Sequence, residues 1–272
     1  MIHTKKAAVA AVCLSMLLSA VAGTAGAAGT LPDKLKNKSN GIMVTETAKP
    51  AESSSIDALL IKVYEIPLKA GEMRAVYVND AKINKLDSLN ISYMPFSYTS
   101  VSKAAQKLSA MGGGVLMAPS WLPKEYALKD ATISPDIPLF YQDEYMKLRD
   151  EFKQKSTATG QKVVSEMLPW SGVETWLTYT RKGEELSLRA EPASGLPAGI
   201  TLALLPGDKD EQVQVNGQEM MLTSFGPHHG KLKSQLQWSS ADGSVEYTLT
   251  DTRNTVQSKA ELLDIAGSLT PQ

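Results

Sequence analysis

The stretch "EQVQVNGQEMMLTSF" (residues 211–225) decides how this chain folds. At its centre Asn216-Gly217 pairs two residues that tolerate positive φ, as a two-residue turn between right-twisted strands requires. The runs on either side, "EQVQV" and "EMMLTSF", read as strands, so the stretch predicts a hairpin. The same grammar recurs nearby. "VETWLTYT" (173–180) and "EELSLRA" (184–190) flank "RKG", while "KSQLQWSS" (233–240) and "VEYTLT" (245–250) flank "ADG" with Asp242-Gly243. In the last pair Leu236 and Trp238, and Val245, Tyr247 and Leu249, alternate toward one face. Successive hairpins with short turns predict an antiparallel sheet.

Helical spacing appears on both sides of this block. Val101, Ala104, Ala105 and Leu108 recur behind the capping candidates Thr99 and Ser100, and Gly112 ends the run. A closing helix is expected from Ser258, with Glu261 three residues on as a capping box and Leu262, Ile265, Ala266 and Leu269 as its apolar stripe. Between them, "IPLFYQDEYMKLRDEFKQK" (137–155) places Tyr141, Tyr145, Leu148 and Phe152 on one helical face, a helical insertion near 136–160. The fold class is therefore α+β: an antiparallel sheet of hairpins with the helices Val101–Leu108 and Leu262–Leu269 packed on one face.

The N-terminal part reads differently. "MIHTKK" supplies Lys5 and Lys6, Ala7 to Ala22 is apolar, and Ala25-Gly26-Ala27 offers small residues, the order of a secretory signal peptide cut after Ala27. An uncleaved anchor is the alternative, but the apolar run is short for a span and no charged stop-transfer flank follows. Cys13, the sole cysteine, lies inside that run behind Val12, which argues against lipidation and leaves no thiol after cleavage. Residues 28–55 are a polar tether. Residues 56–98 form an N-terminal hairpin region, in which "IDALLIKVYEIPL" (56–68) reads as a strand returning through "MRAVYVN" (73–79). Residues 99–272 form the main α+β domain.

The stretch "APSWLPKEYALKDATI" (118–133) joins the first helix to the sheet. Pro119 and Pro123 hold the residues before them extended, so Trp121 is expected against the core and Tyr126 to Ile133 in a strand. This stretch after "SVSKAAQKL", then "VQVNGQEMML", then "LQWSSADGSVEYTLTD" with "SKAELLDIAGSL", resembles one bacterial family in order and wording. It is the domain of unknown function numbered four-three-six-seven, found in exported or membrane-anchored proteins of spore-forming Gram-positive bacteria. The likeness spans about residues 99–270, and Glu125 stands where the family usually has glycine. It implies an extracytoplasmic module, often in anti-sigma-factor-like or envelope-associated proteins, and transfers no catalytic residue.

The residues themselves offer little chemistry. The chain carries 28 basic and 29 acidic side chains. Loss of Lys5 and Lys6 leaves 26 against 29, too balanced to argue for nucleic acid or anionic lipid. "GPHHG" holds His228 and His229, the histidines left after processing and candidate metal ligands, but a metal site normally wants three or more ligands. Gly112–Gly114 lacks the Lys-Ser/Thr of a nucleotide loop and reads as a helix stop. No nucleophile elbow or Ser-x-x-Lys motif is found, so no catalytic residue, cofactor or metal is assigned. Trp121, Trp170, Trp176 and Trp238 are either core or the lining of a ligand site. The sequence thus points to an exported, non-enzymatic interaction or sensory module of the cell envelope, with an unknown envelope protein as partner. A carrier of an apolar ligand is the alternative, and a secreted hydrolase the weaker one.

Overall fold

A computed structural model describes residues 55–193, 205–252 and 256–272 of the protein. The expected signal peptide, the tether up to residue 54 and the flank at 253–255 lie outside the described residues. Among the described residues are four helices and thirteen strands, and every strand pairing is antiparallel, as an α+β fold requires.

The larger sheet has eight strands. They are β3 (Phe96–Tyr98), β5 (Ala127–Pro135), β7 (Val173–Arg181), β8 (Glu184–Pro192), β9 (Lys209–Val215), β10 (Gln218–Ser224), β11 (Ser234–Ser239) and β12 (Val245–Asp251), in spatial order β3-β5-β7-β8-β12-β11-β10-β9. The three expected hairpins are β7–β8, β9–β10 and β11–β12. Asn216 and Gly217 both take positive φ, 50° and 79°, so the turn chemistry read from the sequence sets this register.

One face of this sheet carries a row of leucines in direct cross-strand register: Leu177, Leu188, Leu249, Leu236 and Leu222. All five are fully buried. Over them lie α2 (Val101–Ala110), through Ala104 and Leu108, and α4 (Val256–Gly267), through Leu262, Ile265 and Ala266. Both expected helices therefore pack on one face. Ser100 caps α2, its Oγ accepting from the Lys103 amide. The closing helix differs from expectation: it begins at Val256, which places Ser258 inside it rather than at its cap, and Leu269 belongs to the strand that follows.

The smaller sheet, β2-β1-β6, consists of β1 (Met73–Val78), β2 (Leu89–Tyr93) and β6 (Val163–Leu168). Ala75, Tyr77, Leu89 and Val164 meet Tyr145 and Phe152 of α3 (Asp143–Thr159) on one face. Tyr145 Oη donates to the Leu89 carbonyl and accepts from its amide, pinning helix to strand. Arg74 points the other way and donates to the carbonyls of Val63 and Ile66, closing the C-terminal end of α1 (Ser55–Glu65).

Two expectations fail here. "IDALLIKVYEIPL" is not a strand but forms α1, and β1 pairs with β2 and β6 rather than folding back on residues 56–68. The run is long enough for three helical turns and its apolar residues follow neither a strand nor a helix period cleanly. The helix expected within 137–155 forms over Asp143–Thr159, which leaves Tyr141 ahead of it, and it is a layer on the smaller sheet together with β6.

The stretch at 118–133 acts as a tie. β4 (Met117–Pro119) pairs with β13 (Leu269–Pro271). Ser120 then donates to the Ser268 carbonyl from both its amide (3.0 Å) and its hydroxyl (2.7 Å). Trp121 is not against the core as expected: the residue is 46 % exposed, and its backbone amide and carbonyl, both bonded with Ser268 Oγ, make the attachment. Glu125 adopts φ +75°, the left-handed region that favours glycine.

Candidate functional site

The alternation that buries the leucine row sends every second residue of the same strands to the opposite face. There the rows are polar. One runs Thr132, Trp176, Arg189, Thr248, Gln237, Met221 and Gln212 across seven strands. Beside it lie Ser134 opposite Glu174, and Glu191 opposite Glu246. Around Arg189 the two rows make a cluster of charge.

Arg189 is the hub. Its Nε and Nη2 donate to Glu174 Oε2 at 2.9 and 2.5 Å, and Nη2 also meets Glu191 Oε2 at 2.7 Å. Its guanidinium carbon lies 4.9 Å from the centroid of the Trp176 ring, a cation–π distance. All three charged side chains are largely buried, and Glu246 is only 5 % exposed. Asp136 adds a fourth carboxylate, with its amide bonded to the Gly172 carbonyl at 3.0 Å. Tyr93 closes the edge, its phenol hydrogen-bonded with Ser134.

One guanidinium thus faces four carboxylates in a poorly hydrated place. Burial, with the Glu174 and Asp136 charges added, pushes Glu191 up to about 7 against the pull of Arg189. Burial and Glu191 push Glu246 up to about 7. Burial and Glu174 raise Asp136 as well. Groups that titrate near neutrality can store or pass a proton. Thr248 Oγ1, on the residue opposed to Arg189, is buried without a hydrogen-bond partner.

The residues singled out in the sequence do not converge. His229 Nε2 lies 3.0 Å from Asp208 Oδ2 and stacks against Phe225, while His228 is exposed in the same 3-10 turn. Asp208 also accepts from the Gly226 and Leu205 amides, which, with His229, hold its carboxyl below the usual range although burial opposes them. This is a structural corner. Among the described residues, no group of three or more His, Cys, Asp or Glu is placed to hold a metal. Trp238 stacks on Tyr247 at 5.3 Å and packs against the core, and Trp170 packs there beside Phe96. Trp121 is exposed and Trp176 lies under Arg189 on the polar face. The four tryptophans line no common site.

Glu174, Arg189, Glu191, Glu246 and Asp136 escaped the sequence reading. The "RKG" turn does fix Trp176 opposite Arg189, so that pair was within reach. The approach of Glu246 to Glu191 depends on β12 pairing with β8 across more than fifty residues, which no local pattern announces.

No family model, curated protein or solved structure matches the chain. Among the described residues, no helix is long and apolar enough to cross a membrane.

Proposed function

We propose that the protein is an exported, non-enzymatic interaction or sensory module of the cell envelope, as its resemblance to the extracytoplasmic family implies. The observation that supports this reading best is α1. Ile56 is buried and Leu60 and Val63 are half-buried, but Leu59, Ile61 and Tyr64 are exposed over about half of their surface, as are Ile66 and Met167. A helix apolar around most of its circumference is normally buried, so this one suits contact with a second apolar surface. The carrier alternative needs room between the large sheet and its helices, where the leucine row meets Leu262 and Ile265. An envelope protein with a complementary apolar groove is the partner this surface fits.

The test places a photo-crosslinking residue at Ile61 or Tyr64, with Lys124 and Asp242 as exposed controls, in intact cells. The reading expects one envelope protein captured from 61 and 64 and not from the controls. It also expects Ile61→Glu to abolish capture from 64 without lowering the melting temperature. Equal labelling at all four positions, or capture unaffected by Ile61→Glu, would refute it.

A further inference from the structure

Glu191 and Glu246 are directly opposed in the register of β8 and β12, on the same face of the large sheet. Opposed residues of an antiparallel pair hold their Cβ atoms about 4.5–5.5 Å apart, so two ionised carboxylates there repel strongly. The charged groups facing the pair are Glu174 from β7, Arg189 from β8 and Asp136 after β5, with Tyr93 at the end of β2. Arg189 is already engaged by Glu174 through two contacts and by Glu191 through one, so its single charge is divided. From β11, Ser239 opposite Glu246 brings no charge. Thr248, the next outward residue of β12, is buried with its hydroxyl unpartnered, so the neighbourhood of the pair is poor in solvating groups.

We propose that Glu191 and Glu246 hold one proton between them, and that its loss weakens the β8–β12 seam at the centre of the large sheet. The site is a proton-operated switch, and it stands independently of the α1 contact surface. Protonated, one of the two carboxyls is neutral, and the cluster's negative charge falls by one beside the lone guanidinium. Deprotonated, two buried negative charges face each other across adjacent strands. The direction follows from the raised affinity of both groups for the proton, to about 7 against an ordinary carboxylate near 4.5. The folded state binds the proton more tightly than the unfolded one. The stability this contributes is complete below the ordinary carboxylate range and is lost as pH rises toward and through 7. Asp208, Asp242 and Asp87, whose carboxyls are held low, act in the opposite sense and at more acid pH, and Asp136, raised like the pair, acts in the same sense, so the glutamine variants separate the pair from Asp136.

The experiment measures thermal melts of the parent, Glu191→Gln, Glu246→Gln and the double variant from pH 5 to pH 8. The parent's melting temperature should fall across that range, by on the order of 5 °C or more. Glu246→Gln, a permanent mimic of the protonated form, should melt higher than the parent at pH 8 and flatten the profile. A parent profile that is level or rising from pH 5 to 8, or a Glu246→Gln profile as steep as the parent's, overturns the proposal. Should a glutamine variant fail to fold, carbon-13 titration of glutamate carboxyls in the parent decides. Two resonances moving near neutrality support the shared proton, and movement of every resonance below pH 5.5 refutes it.

Discussion

The smaller sheet is packed between α1 and α3, whereas the larger one carries α2 and α4 on its leucine face and buries polar side chains such as Gln237, Glu246 and Thr248 on the other. That difference governs what each strand looks like. On β1 the first five residues are all buried, so its sequence has no alternation to betray a face. On β12 apolar and polar residues alternate, because one side meets the leucine row and the other meets the Arg189 cluster. Burial on both sides of mostly apolar residues erases the period that one apolar and one polar face write into the sequence.

The comparison can be broken by asking whether the two regions unfold together. The chain passes from β2 to β3 and from β6 to β7 through short connections, and Phe96 packs on Trp170 at 5.5 Å where they meet. Phe152→Ala, which empties the α3 layer of the smaller sheet, should cost about 3–5 kcal/mol. All four tryptophans lie outside the smaller sheet and its helices, so their fluorescence follows the larger one. The fluorescence and circular dichroism transitions of Phe152→Ala in denaturant should shift together. A fluorescence transition that stays at the parent's midpoint would show two independent folding units.

A smaller effect sharpens the picture of the leucine face. Trp238→Ala removes a ring that packs on the core and stacks on Tyr247, and should cost about 2 kcal/mol, short of the roughly 3–5 kcal/mol of a wholly buried ring. Trp121→Ala removes a largely exposed one and should cost under about 1 kcal/mol. Equal losses in denaturant titrations would mean that Trp121 is packed after all.

The smallest change has the opposite sign. Glu125 holds φ +75°, which costs a residue with a Cβ roughly 1–2 kcal/mol, and its ion pair with Lys182 is exposed and weak. Glu125→Gly relieves the strain and returns about 0.5–1 kcal/mol of it as backbone entropy. The variant should melt slightly higher than the parent, and a clear drop would refute the strain.

Legibility in the sequence followed these physical lines. The hairpins at Lys182-Gly183, Asn216-Gly217 and Asp242-Gly243 were readable because turn chemistry is local, and α2 and α3 because each buries one stripe. α1 was misread because Leu59, Ile61 and Tyr64 carry apolar side chains away from the sheet and blur the helical stripe. The charge cluster was invisible for another reason. Glu174, Glu191 and Glu246 each look like an ordinary outward residue of a half-exposed strand, and only the long-range β8–β12 seam gathers them around one arginine.

The tie between Ser120 and Ser268 spans 148 positions of sequence, and this sets an order in time. A chain made from its N-terminus can assemble α1 with β1 and β2 early, and later each hairpin as its turn appears. The backbone of Ser120 and Trp121, though synthesised before most of the large sheet, finds its partner only when Ser268 arrives. Until then the segment between α2 and β5 lacks its permanent attachment, with the entropy of a very long loop still to be lost. The residues that look like the start of the domain are therefore among the last to be fastened.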